Sequence, residues 1–235
     1  MLNFCYTTLS RDFHEKYFSE WLVLLPPDLI KRIKKFRHWE DAQATLLGYL
    51  LISKELLSSD LEKISSIQYN CFGKPFLGNN SFFNISHSGK YVVFISCETD
   101  DIGIDIEEID TNIIVDDLFS QMTKSEQHTI ETSTNKINAF YSYWTQKEAV
   151  IKANGKGLST PLKSFEIVDN KAQIYNKQYF TKEVVLNDEY VCHIASTMNF
   201  LNQMELHMKE ICFHMPETNL SSCTSQSKYA ANYIL

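Results

Sequence analysis

The chain has 235 residues, 44% of them apolar and 22% charged, with a formal net charge of −7 at pH 7. That is ordinary globular composition, long enough to bury a real core as one large domain or two small ones. The acidic balance argues against unspecific binding of nucleic acid, so any surface for an anion must be local.

The six cysteines, at 5, 71, 97, 192, 212 and 223, include no C-x-x-C pair, so neither a zinc site nor a redox motif is expected. The opening, MLNFCYTTLSRDFHEK, lacks a basic stretch followed by an apolar run, and no signal peptide is expected. Apolar runs such as W-L-V-L-L (21–25) are too short to cross a bilayer. A reduced, cytoplasmic protein with no membrane or nucleic-acid partner is the expectation.

In chain order, P-P-D-L-I-K-R-I-K-K-F-R (26–37) opens like a helix, with prolines at its mouth and Asp28 at or near the cap. Apolar residues at helical spacing resume over 44–57. Two short extended runs within 67–77 flank a G-K-P turn, and Tyr91 to Ser96 form a clear β-run. A further strand is predicted over 102–107. The polar segment 111–135 reads as helical in pieces, and 139–158 as a strong helix stopped by Gly155. Short strands follow at S-F-E-I-V, A-Q-I-Y, E-V-V-L and Y-V-C-H-I-A (164–195). The order helix, strands, helix, strands suggests two similar α+β halves meeting near residue 100, the first spanning 1–100 and the second 101–205. The remainder, 206–235, is polar at its end, carries no periodicity, and is expected to be a loose tail.

One stretch poses a physical problem. In I-G-I-D-I-E-E-I-D (102–110), Ile102, Ile104 and Ile106 would face one side of a strand, with Gly103, Asp105 and Glu107 on the other. Two carboxylates roughly 6.5–7 Å apart on one face repel each other unless solvent or a cation intervenes. In most such patterns solvent is the answer. Within the helix at 139–158, however, Trp144, Glu148 and Lys152 stand at i, i+4 and i+8 and share a face. Glu148 would be a third carboxylate. Three such oxygen donors, some waters and a phosphate make a reasonable magnesium shell, with Lys152 placed to touch the phosphate.

G-I-D-I-E (103–107) together with W-T-Q-K-E-A-V-I-K (144–152) resembles the paired signature of the 4′-phosphopantetheinyl transferases, in particular the longer Sfp-type class. Further blocks of that family occur in order: F-G-K-P-F-L (72–77), F-N-I-S-H-S-G (83–89), T-K-S-E (123–126) and G-K-G-L (155–158). The resemblance spans roughly residues 28 to 165. It implies an α+β pseudodimer of two similar halves with the active site in the cleft between them. The first half would make the coenzyme A nucleotide contacts, and the second would carry the metal and catalytic residues.

The implied activity is that of a holo-[acyl-carrier-protein] synthase. Such an enzyme moves the 4′-phosphopantetheine arm of coenzyme A onto a serine of an acyl, peptidyl or aryl carrier protein and releases adenosine 3′,5′-bisphosphate. Mg²⁺ is the implied cofactor, with Mn²⁺ as a substitute. Residue by residue, the resemblance implies Asp105, Glu107 and Glu148 as metal ligands. It implies Glu148, Lys152 and Lys147 as catalytic residues, and Arg32, Lys74, Ser86, His87, Asp105 and Lys152 as contacts to coenzyme A. Glu148 cannot readily be both a tight ligand and a free base, and Lys147 either takes part in catalysis or orients the site. Glu126 matches an acidic position of varied role.

Where many relatives read A-x-R-[ST]-L, this chain reads A-Q-A-T-L, with Ala44 at the arginine position, so the clamp on the adenosine end is expected to differ. A monomer acting in fatty-acid, polyketide or nonribosomal-peptide biosynthesis is implied, its carrier docking on 111–135 through a mostly apolar patch. Two other classes use part of the same residue set. One is a magnesium-dependent phosphatase or nucleotidyl transferase with the same three carboxylates; the other is a non-catalytic binder of coenzyme A or of a carrier.

Overall fold

The computed structural model describes residues 2–78, 82–98, 101–199 and 201–214. The chain opens with β1 (Leu2–Thr8), α1 (Arg11–Lys16), α2 (Phe18–Leu22), α3 (Pro27–Ile33) and the 18-residue α4 (Trp39–Leu56). A hairpin of β2 (Gln68–Tyr69) and β3 (Pro75–Phe76) leads to β4 (Phe82–Ser88) and β5 (Tyr91–Cys97). Next come β6 (Ile102–Glu108), α5 (Lys124–Thr132) and the 19-residue α6 (Lys136–Asn154). The chain continues through β7 (Ile167–Val168), β8 (Lys171–Ile174), β9 (Lys177–Glu183), β10 (Tyr190–Ser196) and β11 (Met208–Glu210).

Several boundaries differ from expectation. Helix α3 stops at Ile33, and Asp28 lies in its first turn behind a Pro26 cap. Helix α4 starts at Trp39, well before residue 44, because polar residues of its first turn hide the periodicity. Helix α6 ends at Gly155 (φ 73°), a left-handed C-cap that glycine adopts without penalty. The run E-V-V-L is not a strand: β9 ends at Glu183, and its alternation of buried Tyr179 and Thr181 with the half-buried Phe180 and Lys182 lies upstream of that apolar run. The expected tail is packed for its first part. Strand β11 pairs in parallel with β1, and Ile211 and Phe213 are buried in the core beneath α4. Residues 215–235 lie outside the described residues.

The mixed α+β fold contains two main sheets, ordered β11-β1-β5-β4 and β6-β10-β9-β8-β7. Period-two alternation divides their side chains between layers. On β5, Val92 and Phe94 join the core under α4, whereas Val93 and Ile95 join Ile104, Ile106, Cys192 and Ile194 in a core shared by both sheets. The isoleucines of β6 thus face the shared core, and Gly103, Asp105 and Glu107 face α6.

Helix α6 comes unusually close to β6. A Cβ added at Gly103 would lie 2.1 Å from the Ala149 carbonyl oxygen and 2.4 Å from the Ala153 nitrogen, so only glycine permits this contact. The two sheets meet where β4 lies beside β6. Among the described residues no backbone ladder joins them; β4 side chains do so instead. The Ile104 amide donates to Asn84 Oδ1 (2.9 Å), Ser86 Oγ donates to Asp105 Oδ1 (3.1 Å), and Ser88 Oγ donates to Glu107 Oε2 (3.0 Å). These pairs advance together along both strands, so β4 and β6 run in the same direction.

The rotation of α6 about its axis is fixed from the opposite side. The Lys147 side chain is 0% exposed, and its ammonium donates to Glu126 Oε2 (2.9 Å), Leu162 O (2.9 Å) and Phe165 O (2.6 Å). Burial lowers its pKa, and the Glu126 charge opposes that shift. Glu126 also accepts from the Thr123 amide in a capping box at the start of α5 and from the Ile167 amide on β7. Removing one partner of a buried ion pair strands the other charge, at a cost of about 3–5 kcal/mol. Lys147→Ala is therefore expected to lower the unfolding free energy obtained from denaturant melts by that much, and Lys147→Met combined with Glu126→Leu to recover most of the loss. Equal destabilisation of the single and double variants would show that pairing is not what holds α6 here.

Candidate active site

Because α6 lies against β6, its i, i+4, i+8 face and the outward face of β6 form the walls of one cleft. Trp144, Glu148 and Lys152 line it together with Ile85, Ser86, His87, Asp105 and Glu107. This resolves the problem posed by the strand: its paired carboxylates face a helix that carries a lysine and a third carboxylate. Lys152 donates to Asp105 Oδ1 (2.5 Å) and Ser86 Oγ (2.9 Å). Behind Asp105, its cross-strand neighbour His193 lies 2.7 Å through Nδ1 from the hydroxyl of Thr145 on α6. Burial lowers the His193 pKa to about 4, so it is a neutral spacer at physiological pH.

The cleft concentrates unfavourable charge. Burial raises the carboxyl pKa of Asp105, and Lys152 and Ser86 oppose that rise. Glu107 and Glu148 are raised first by burial and then by the charge of Asp105, with Lys152 again opposing. Among the described residues no three His, Cys, Asp or Glu side chains converge on one point. The chemistry of the donor set nevertheless suits a small hard dication. Asp105 Oδ2 is buried with no hydrogen-bond partner, Glu148 makes no hydrogen bond or ion pair among the described residues, and all three donors are oxygens.

Strand β4 connects this cleft to a second groove. Ile85 and His87 line both, while Asn84, Ser86 and Ser88 bond to β6. The second groove runs beside α4, with Arg32, Ala44, Thr45, Tyr49 and Tyr69 among its walls. Burial lowers the His87 pKa there, although its ring edge remains exposed. The structure therefore brings Asp105, Glu107, Glu148, Lys152, Ser86 and His87 together, with Arg32 at the far end of the adjoining groove.

Two expected residues lie elsewhere. Lys74 does not line the cleft or the groove beside α4; its ammonium donates to Ile102 O (3.2 Å) and Ala153 O (2.9 Å), at the start of β6 and the end of α6. Burial pushes its pKa down to about 8. Together with Asn70, which donates to Gly155 O (2.8 Å), it fastens the β2–β3 hairpin to α6. Lys147 points away from Glu148 into its buried pair and touches nothing in the cleft. Adjacent helix positions differ by roughly 100° in direction, which explains why Lys147 and Glu148 separate so fully. The Trp144 indole donates towards Glu107 and opposes the rise in its pKa. Sequence reasoning missed Asn84, Ser88 and His193; the period-two spacing of Asn84, Ser86 and Ser88 was the available signal.

A carboxyl whose pKa is raised by folding binds its proton more tightly in the folded state, so its contribution to stability is greatest at low pH and is lost as pH rises through the raised value. Glu148→Gln is accordingly expected to raise the Tm at pH 7.5 by on the order of 2 °C, with the gain vanishing near pH 4. A Tm that falls at pH 7.5 would show that the Glu148 charge is stabilising. Thermal melts across that pH range decide between the two.

Comparison with known proteins shows the family of the chain. The family model described as the 4′-phosphopantetheinyl transferase superfamily matches residues 101–197, and that described as 4′-phosphopantetheinyl transferase, N-terminal, matches residues 13–99. The chain is 32% identical over 164 residues to the 4′-phosphopantetheinyl transferase Sfp of Bacillus subtilis (strain 168), covering 68% of this chain and 71% of that one. It is 32% identical over 186 residues to the 4′-phosphopantetheinyl transferase gsp of Aneurinibacillus migulanus, covering 74% and 78%. A more distant similarity, 30% identity over 194 residues and 73% and 64% coverage, is to the L-aminoadipate-semialdehyde dehydrogenase-phosphopantetheinyl transferase of Xenopus laevis. With a relative matched over more than two thirds of its length and both halves recognised, the chain belongs to the 4′-phosphopantetheinyl transferase superfamily and is a transferase of the Sfp type.

Proposed function

We propose that this protein transfers the 4′-phosphopantetheine arm of coenzyme A to a serine of an acyl, peptidyl or aryl carrier protein in a Mg²⁺-dependent reaction. Adenosine 3′,5′-bisphosphate is the second product, and Mn²⁺ is an acceptable substitute metal. The observation that carries this reading is the cleft itself, in which α6 sets Glu148 and Lys152 opposite Asp105 and Glu107, next to a groove lined by Arg32, His87 and aromatic side chains. The two halves, meeting near residue 100, form a pseudodimer in this reading. Each contains an order of equivalent strands (β1-β5-β4 and β6-β10-β9) and one long helix, and the active site lies where they meet.

Asp105 and Glu107 would hold the metal, with Glu148 across the cleft on α6 as the third carboxylate. When bound, the metal neutralises these carboxylates and the coenzyme A pyrophosphate. The serine oxygen forms a bond to the phosphorus that carries the pantetheine arm, and the pyrophosphate P–O bond breaks. The departing bisphosphate keeps the electron pair. Glu148, raised in pKa and unpartnered, takes the serine proton. Lys152 stabilises the charge that gathers on the phosphates, and Ser86 holds Lys152 and Asp105 in register. His87 and Arg32 lie along the nucleotide. Lys74 and Lys147 position α6 and do not take part in the chemistry.

The carrier docks on the 111–135 segment, where Ile114 is 66% exposed. Among the described residues no helix is long and apolar enough to cross a membrane. In this reading the protein is a cytoplasmic monomer acting on fatty-acid, polyketide or nonribosomal-peptide carriers.

Intact-mass spectrometry of apo acyl and peptidyl carriers incubated with the protein, coenzyme A and Mg²⁺ tests this. A gain of one phosphopantetheine mass, abolished by EDTA, is expected on at least one carrier. Lys152→Ala, folded by circular dichroism, is expected to lower kcat by about 10²-fold or more with a smaller change in KM. Metal-independent transfer, or a folded Lys152→Ala variant with wild-type kcat, would remove the proposed roles.

A further inference from the structure

The proposed transferase reading places the adenosine of coenzyme A in the groove beside α4, whose electrostatics are unusual for a site that receives a phosphate-bearing nucleotide. Tyr49, Ile52, Ile67, Tyr69, Pro75 and Phe83 make its walls largely apolar and aromatic. Among the described residues lining it, Arg32 is the one side chain with a permanent positive charge, and Arg32 is exposed to solvent. Lys31, Lys34, Lys35 and Arg37 are exposed outside that lining, and Lys31 leans towards Asp28 at 4.0 Å.

The second polar group at hand is His87. Burial favours its neutral imidazole; Asp41 in the first turn of α4 favours the charged form, and the positive charge of Lys152 in the adjoining cleft opposes that. The wall next to Thr45 is Ala44, a methyl group with no charge to offer. A terminal phosphomonoester in this groove would therefore meet one screened cation of its lining, aromatic faces and a neighbouring carboxylate, while Lys152 in the adjoining cleft is held by Asp105. Exposed single ion pairs change an equilibrium by no more than about fivefold. Apolar and aromatic contact with the base and ribose, which this lining offers in quantity, does not depend on that phosphate at all.

We infer that this enzyme recognises the adenosine of coenzyme A mainly through its base and ribose, so that 3′-dephospho-coenzyme A is also a phosphopantetheine donor. The reacting centre is unchanged. The serine oxygen gains the bond to phosphorus, the same pyrophosphate P–O bond breaks, Glu148 takes the proton, and the departing group is adenosine 5′-monophosphate in place of the 3′,5′-bisphosphate. The wall at Ala44 then decides how strictly the enzyme selects its donor.

The test compares kcat/KM for the two donors on one apo carrier with Mg²⁺, read by intact mass, alongside calorimetric binding of each donor to the enzyme. A preference for coenzyme A of no more than about fivefold is expected from a single exposed pair, and a larger preference overturns the inference. Ala44→Arg is expected to widen the preference through KM, and Arg32→Ala to narrow it towards unity. If both donors bind with similar affinity and neither is transferred, nucleotide recognition stands as inferred and the transferase reading fails. If neither binds, both fall.

Discussion

Everything at the site depends on one close contact, the seating of α6 on Gly103. Without a Cβ at that position, the helix backbone reaches the strand, and the residues one and two turns apart on α6 come opposite the carboxylates of β6. A methyl group there would collide with main-chain atoms, which cannot move aside as the end of a flexible side chain can. The glycine of G-I-D is thus a packing requirement that sets the depth of the cleft. Lys147 with Glu126 fixes the rotation of the helix from behind, and Lys74 with Asn70 holds its C-terminal end. Glu148 and Lys152 are placed by a helix that is constrained on three sides.

The cleft is built at a cost to stability. Three carboxylates disfavoured by burial share one wall system with a single lysine, and Asp105 keeps a buried oxygen without a partner. Such groups cluster where a fold must hold charge ready for a ligand. The compensation lies nearby, in the hydroxyls of Ser86 and Ser88, the indole of Trp144 and the ammonium of Lys152.

Strand β4 joins the two halves both mechanically and functionally. Its even-numbered polar residues, Asn84, Ser86 and Ser88, cross-link to β6, while Ile85 and His87 look into the groove beside α4. Alternation along one short strand therefore connects the nucleotide end of the site with its reactive end.

The sequence by itself determined a good deal. The i, i+4, i+8 spacing put Trp144, Glu148 and Lys152 on one helix face, and period-two spacing put Asp105 and Glu107 on one strand face, because both periodicities follow from local backbone geometry. The mixed α+β composition and the stop at Gly155 were legible for the same reason. What it could not supply is which partner each face meets. The G-K-P lysine is bound to two carbonyls far apart in sequence, and the lysine before Glu148 is buried against Glu126 on another helix. The burial alternation of β9 and the packing of residues 208–213 against the first sheet likewise depend on neighbours distant along the chain. Local pattern decides where a side chain can point; only the tertiary structure decides whether it meets an ion, a carbonyl or open solvent, since those neighbours are brought together by the fold.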